Sequence, residues 1–152
     1  MELNLQLIIK YINSFDFYKV TELISWFNKN DQDGKFKLWL MNNNEKRVYA
    51  AYLYIIGQYG QYGDYRSSNN TAIGYLVRAK EVLNNVQGYD TLKFNVFFNL
   101  SMSNIVLGDM QEVEKNTQII ERMFNEGSVD KIDIPMLYFV KARLFFYTGK
   151  IS

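Results

Sequence analysis

The stretch Asp90–Phe124 (DTLKFNVFFNLSMSNIVLGDMQEVEKNTQIIERMF) decides the fold class. Phe94, Phe97, Leu100 and Ser101 recur at three- and four-residue steps, and Val113, Ile120 and Phe124 resume that rhythm after Gly108-Asp109. With about 3.6 residues per turn, each set falls on one face of an α-helix. Gly108 supplies the residue that a helix end needs at positive φ. Asp109 can then accept the orphan backbone N–H groups of the next helix, and with Glu112 three residues on it reads as a capping box. The stretch predicts a helical hairpin with a tight turn.

The same rhythm extends in both directions. Toward the C-terminus, Asp133 and Pro135 open a helix with Tyr138, Ala142 and Phe145 inside and Gly149 as its stop. Toward the N-terminus, Asp90 itself reads as a cap, and Ala72, Leu76, Ala79 and Leu83 form a helical stripe behind it. A long turn, Gly60–Asn70, separates that stripe from Val48, Tyr52, Ile55, Ile56 and Tyr59. Phe36, Trp39 and Leu40 mark a short helix after the loop Asn28–Gly34. Val20, Leu23, Ile24 and Phe27 follow a cap at Asp16, and Leu5, Ile8, Ile12 and Phe15 begin the chain. The expectation is an all-α fold of about eight helices, with no clean strand alternation, forming a single helical domain over 1–152.

Aligned on their turns, these helices suggest a repeat. Ser14-Phe15-Asp16, Tyr62-Gly63-Asp64-Tyr65, Leu107-Gly108-Asp109-Met110 and Thr148-Gly149-Lys150-Ile151 line up. Leu7, Tyr11, Val20, Ile24 and Phe27 then take core positions of a first unit, and Ala72-Leu76-Ala79 gives the small-large-small crossing pattern of a second. The pattern is that of the tetratricopeptide (TPR) hairpin. The turns at Gly63, Gly108 and Gly149 are spaced by 45 and 41 residues, against about 34 in a standard TPR. The fold expected is a TPR-like degenerate repeat, an α-α hairpin solenoid. The competing reading is an irregular bundle with incidental Gly-Asp turns. The helix after Asp133 finds no partner helix before Ser152. A bare solenoid end exposes apolar surface, so the expectation is either a fragment of a longer solenoid or a homo-oligomer joined through the C-terminal end.

Composition removes most catalytic chemistry. The 152 residues include no cysteine and no histidine, which excludes disulfides, thiolate zinc sites, Cys nucleophiles and Ser-His-Asp triads. Gly57, Gly60 and Gly63 lack the Lys-Ser/Thr of a phosphate loop. Glu112 with Glu114, and Asp130 with Asp133, read as solvated surface and not as acid-base pairs. No catalytic residue, metal ligand or cofactor is expected, and the chain is not read as an enzyme. A net charge of +1 gives no field that would draw in nucleic acid. The segment Met1–Lys10 has no basic run typical of a signal peptide, and no apolar run reaches the roughly 18 residues of a membrane span. The lack of cysteine agrees with a reducing cytosol.

In a TPR-like register the first helix of each hairpin lines a concave groove. Asn95, Phe98 and Met102 then face it from the sixth helix, Phe139, Arg143 and Tyr147 from the eighth, and Gly57 and Gln61 from the fourth. An Asn side chain can both donate to and accept from a peptide backbone. Arg143 can hold a terminal carboxylate, and Phe and Met supply apolar pockets. These are the candidate peptide-binding residues. The competing reading puts Phe98, Met102 and Phe139 in the core and leaves Arg143 as a solvated charge. The tyrosines at 49, 52, 54, 59, 62 and 65 have only Arg47 and Arg66 at their flanks, so core and interface roles suit them better than base stacking.

The order of elements also resembles a family. Tyr11–Trp26 (YINSFDFYKVTELISW), Tyr54–Tyr65 (YIIGQYGQYGDY), Thr91–Phe124 and Tyr138–Ser152 (YFVKARLFFYTGKIS) resemble the C-terminal regulatory domain of the Rgg/MutR-type regulators of Gram-positive bacteria, within the wider group of TPR-like peptide-pheromone receptors (Rap, PlcR and relatives). The resemblance implies a cytoplasmic dimer that binds a short, often hydrophobic peptide and acts in quorum sensing and transcription regulation. The family's N-terminal helix-turn-helix has no counterpart here, so no direct nucleic-acid binding is expected from this chain. The alternative function is a structural or assembly protein, viral or from a mobile element, that oligomerises through its helices.

Overall fold

The computed structural model describes residues 46–62, 69–129 and 133–149, and the single positions Leu7, Lys10, Lys19 and Glu22. Among the described residues there are five helices and no strand. They are α1 (Lys46–Tyr62), α2 (Asn69–Leu83), α3 (Asp90–Leu107), α4 (Met110–Asn125) and α5 (Ile134–Thr148). The all-α expectation holds there, and these five match the fourth to eighth helices expected. The first three, the Asp16 cap, the Asn28–Gly34 loop and the Gly63-Asp64 turn lie outside the described residues. The four single positions are helical. Leu7 is 38% exposed and is not the core residue expected of it. The chain divides into two compact units, 1–87 and 88–152.

In the first unit α1 and α2 pack along one another. From Val48 to Tyr62, α1 carries no charge, and a helix without a polar face is one that can be buried on most sides. Ala50, Leu53, Tyr54 and Ile55 are buried, whereas Tyr52 and Ile56, expected beside Ile55, are half-buried. The side chains of Val48, Tyr59 and Gln61 lie outside the described set. In α2 the stripe Ala72, Leu76, Ala79 and Leu83 is buried throughout, as its spacing predicts.

Gly57 sits where the two helices cross. A Cβ there would stand 3.0 Å from Leu76 Cγ and 3.1 Å from the Ala72 carbonyl oxygen, and that carbonyl belongs to the backbone of α2. Gly57 therefore serves close approach and not the groove position expected of it. Gly74 is also helical, but a Cβ there meets nothing within 4 Å. Alanine is favoured over glycine in a helix by about 1 kcal/mol, and overpacking costs about 1–3 kcal/mol. Gly74→Ala is expected to raise the melting temperature by roughly 2–4 °C, and Gly57→Ala to lower it. Thermal scans by circular dichroism check both. Equal gains at the two positions would mean that α1 and α2 do not meet this closely.

In the second unit the α3–α4 turn is the one the sequence marks. Gly108 adopts φ 77°, where a side chain would be strained. Its N–H bonds the Ile105 carbonyl at 3.2 Å, and the Asp109 N–H bonds the Asn104 carbonyl at 2.9 Å, a pairing that satisfies two otherwise orphaned carbonyls of α3. The Asp109 Oδ1 then accepts the Glu112 N–H at 3.2 Å and opens α4. Only this half of the capping box forms. The Asp109 N–H is already committed to α3, and the Glu112 carboxylate turns to Lys115 Nζ at 2.6 Å. That hydrogen bond, and then the charge, raises the Lys115 pKa above the ordinary lysine value.

Two clusters set the direction of the three helices. Phe94 and Phe97 of α3 meet Ile120 and Met123 of α4 and Leu137 of α5, with Val129. Ile105 of α3 meets Val113 of α4 and Val140 of α5. Early residues of α3 and α5 thus pair with late residues of α4, so α3 and α5 run parallel and α4 runs against both. Val113 and Ile120 are fully buried and Phe124 is half-buried, close to expectation.

Two local expectations change and one holds. Asp90 is the first helical residue and not the cap; Tyr89 holds the cap position at φ 57°, with no side-chain cap bond. Asp133 holds the cap position of α5, though without a side-chain cap bond, and Pro135 follows at the second helical position, so the two open the helix as expected. The inner face of α5 is also different. Tyr138 is 65% exposed, and Ala142 and Phe145 are exposed, whereas Leu137 and Val140 are buried. Apolar residues surround α5, so spacing alone does not choose a face. Leu137 and Val140 enter the clusters, and Lys141 Nζ reaches Glu121 Oε1 of α4 at 2.9 Å.

Candidate functional site

The polar side chains of α3 mostly serve α3. Asn99 Nδ2 donates to the Asn95 carbonyl at 2.8 Å, Ser101 Oγ to the Phe97 carbonyl at 2.9 Å, and Ser103 Oγ to the Asn99 carbonyl at 2.8 Å. Each is a bond back to residue i−4, which lets a short polar side chain stay buried inside a helix. Asn95 is buried among them. Phe98 is half-buried, stacked on Phe94 with centroids 6.1 Å apart, and packs against both apolar clusters. Met102 packs on the cluster of Ile105, Val113 and Val140. These three expected site residues thus have covered or half-covered side chains, with Phe98 and Met102 joined to the core.

The other three lie on open surface along α5. Phe139, Arg143 and Tyr147 are all exposed. The Arg143 guanidinium lies over the Phe139 ring, 5.3 Å from its centroid, a favourable cation–π placement. Tyr147 meets Phe146 edge-on at 5.4 Å. Among the described residues no carboxylate forms a salt bridge with Arg143.

Around these residues the structure adds others that the sequence reading assigned to the core or passed over. Pro135, Phe139, Ala142 and Phe146 recur at steps of four, three and four residues on the side of α5 away from Leu137 and Val140. Tyr138 and Phe145 flank that row on one side, Met136, Arg143 and Tyr147 on the other, all exposed. Phe146 reaches 78% exposure. Val106 and Leu107, also exposed, close the parallel helix α3 at the same end of the unit. The signal for this face was present in the sequence: Ile134–Thr148 has no acidic residue and only Lys141 and Arg143 as charges. A helix apolar all round is ordinarily buried all round.

Other chemistry is sparse. Among the described residues no group of His, Cys, Asp or Glu could hold a metal ion, and no helix is long and apolar enough to cross a membrane. Glu112 is engaged with Lys115, and Asp130 lies outside the described residues. No family model matches the sequence, and no match emerged with a curated protein or with a solved structure.

Proposed function

We propose that this chain is a helical interaction module, without catalytic equipment, that takes an apolar polypeptide segment on the exposed aromatic face of α5. The observation that carries this reading is the mismatch on that helix: apolar residues on every side, burial on one side only. Large exposed apolar patches mark binding surfaces more often than they mark idle surface, and aromatic residues with an Arg among them are the usual anchors of such contacts. Phe139, Arg143 and Tyr147 of the expected peptide-binding set belong to this face. Asn95, Phe98 and Met102 support it from behind through the core that α5 rests on. The TPR-like repeat and the resemblance to peptide-pheromone receptors add a cytoplasmic setting and a role in signalling or transcription regulation, with the segment a short hydrophobic peptide or part of a protein.

The test uses bis-ANS, a dye that fluoresces on exposed apolar surface. The double variant Phe139→Ser/Phe146→Ser is expected to lose most of the dye fluorescence of the unaltered chain while keeping its helicity, because both side chains stand outside the core. Measured at dilutions where the chain is monomeric, equal fluorescence from the two proteins would remove α5 as the docking face.

A further inference from the structure

We infer that the occupant of the α5 face is a second copy of this chain, docked antiparallel with Ala142 at the crossing point. This rests on the reading of α5 as a docking face and names its partner.

The spacing is self-complementary. Phe139 and Phe145 stand three residues before and after Ala142, and Tyr138 and Phe146 four residues before and after. Met136 and Tyr147 stand six before and five after. At about 1.5 Å per residue, a two-fold axis beside Ala142 sets Phe139 against the partner's Phe146 and Tyr138 against the partner's Phe145. It sets Met136 against the partner's Tyr147. Each contact occurs twice, which is what a closed two-fold pair requires. Ala142 is the smallest side chain of the row and sits at its middle, so the helix axes can approach to about 8 Å.

Charge and area agree with this pairing. A partner of the opposite charge is not called for, since the face has no acid and a single base, Arg143. The two Arg143 side chains fall on one edge of the pair, each able to stay in water over its own Phe139 ring. The five exposed aromatics, taken at roughly 200 Å² for a full side chain, leave about 600 Å² per copy to cover. A pair then buries about 1,200 Å², the lower edge of standard interfaces. An interface at that edge suits a reversible dimer.

Sedimentation velocity on the full chain over a concentration series tests this. The expected result is a monomer–dimer equilibrium, weakened at least tenfold by Phe146→Asp and by Ala142→Glu. Raising the salt should leave the dimer unchanged or tighten it, because screening relieves the Arg143 pair. Both altered residues are exposed, and unchanged circular dichroism confirms that each variant is folded. A dimer indifferent to both substitutions, or one that dissociates as salt rises, overturns the proposal. A chain that stays monomeric also overturns it, and bis-ANS then separates the causes. If the monomer binds dye at α5, the docking face stands and its partner is a different protein. If the monomer binds no dye there, the face is covered within the same chain and the docking reading fails too.

Discussion

Phe94→Ala is expected to cost about 3–5 kcal/mol, the range for removing a buried phenylalanine. Phe94 is 1% exposed and stands at the centre of the second unit. Its ring stacks on Phe98 at 6.1 Å and meets Phe124 edge-on at 5.7 Å. It shares a cluster with Ile120 and Met123 of α4 and Leu137 of α5, so one side chain touches the packing of three helices. The substitution removes the transfer energy of the ring, its aromatic contacts and the filling of the space they enclose. Those neighbours are anchored on three helices and can collapse only in part. Against a total stability of roughly 5–15 kcal/mol, that loss is a large fraction of what holds the unit folded. Urea unfolding followed by circular dichroism measures it. A cost below about 1 kcal/mol, the size of an ordinary surface change, would mean that α3, α4 and α5 do not share this core.

The sequence was legible where one physical requirement stood alone. The Ala72-Leu76-Ala79-Leu83 stripe has polar residues on its other side, so its period identifies the buried face, and all four are buried. Gly108-Asp109 could be read because a positive-φ residue followed by an acceptor has few other uses at a helix end. Legibility failed where two requirements overlapped. The Asp109 N–H had two possible acceptors, and the carbonyl of Asn104 took it in place of the Glu112 carboxylate. Around α5 every face satisfied the apolar pattern, and the choice fell to contacts distant in sequence: Val113, Ile120 and the Glu121–Lys141 pair. The candidate site suffered from the same ambiguity. Phe139, Arg143 and Tyr147 came out on open surface, while Phe98 and Met102 took the core role that the competing reading had given them. The large exposed aromatics Tyr138 and Phe145 were hidden by their helical spacing, which is equally good for a core and for an interface.

Val140→Asp is expected to release α5 altogether, and it separates the two faces of that helix. Val140 is fully buried between Ile105 and Val113, with Phe98, Met102 and Leu144 around it. A carboxylate there enters an apolar cluster, and Lys141, its neighbour in sequence, already reaches across to Glu121 at 2.9 Å. Burying an unpaired charge costs several kcal/mol or forces the group to take up a proton. The expected loss at neutral pH is therefore about 4 kcal/mol or more, seen as a lower urea midpoint and, if α5 alone undocks, as a smaller m-value. The sign of the pH dependence identifies the cause. Burial raises the pKa of the introduced carboxyl above its unfolded value of about 3.9. The penalty is then full above the raised pKa and fades as the pH falls toward the unfolded value. Relative to the unaltered chain, the variant should recover stability on acidification. Phe146→Asp should show neither the loss nor the recovery, because at 78% exposure its carboxylate remains in water. One helix would then answer the same chemical change in two ways: loss of its attachment from the inner face, and loss of association alone from the outer face. If both substitutions destabilised the chain alike, the outer face would be core, and the docking surface would have to be abandoned.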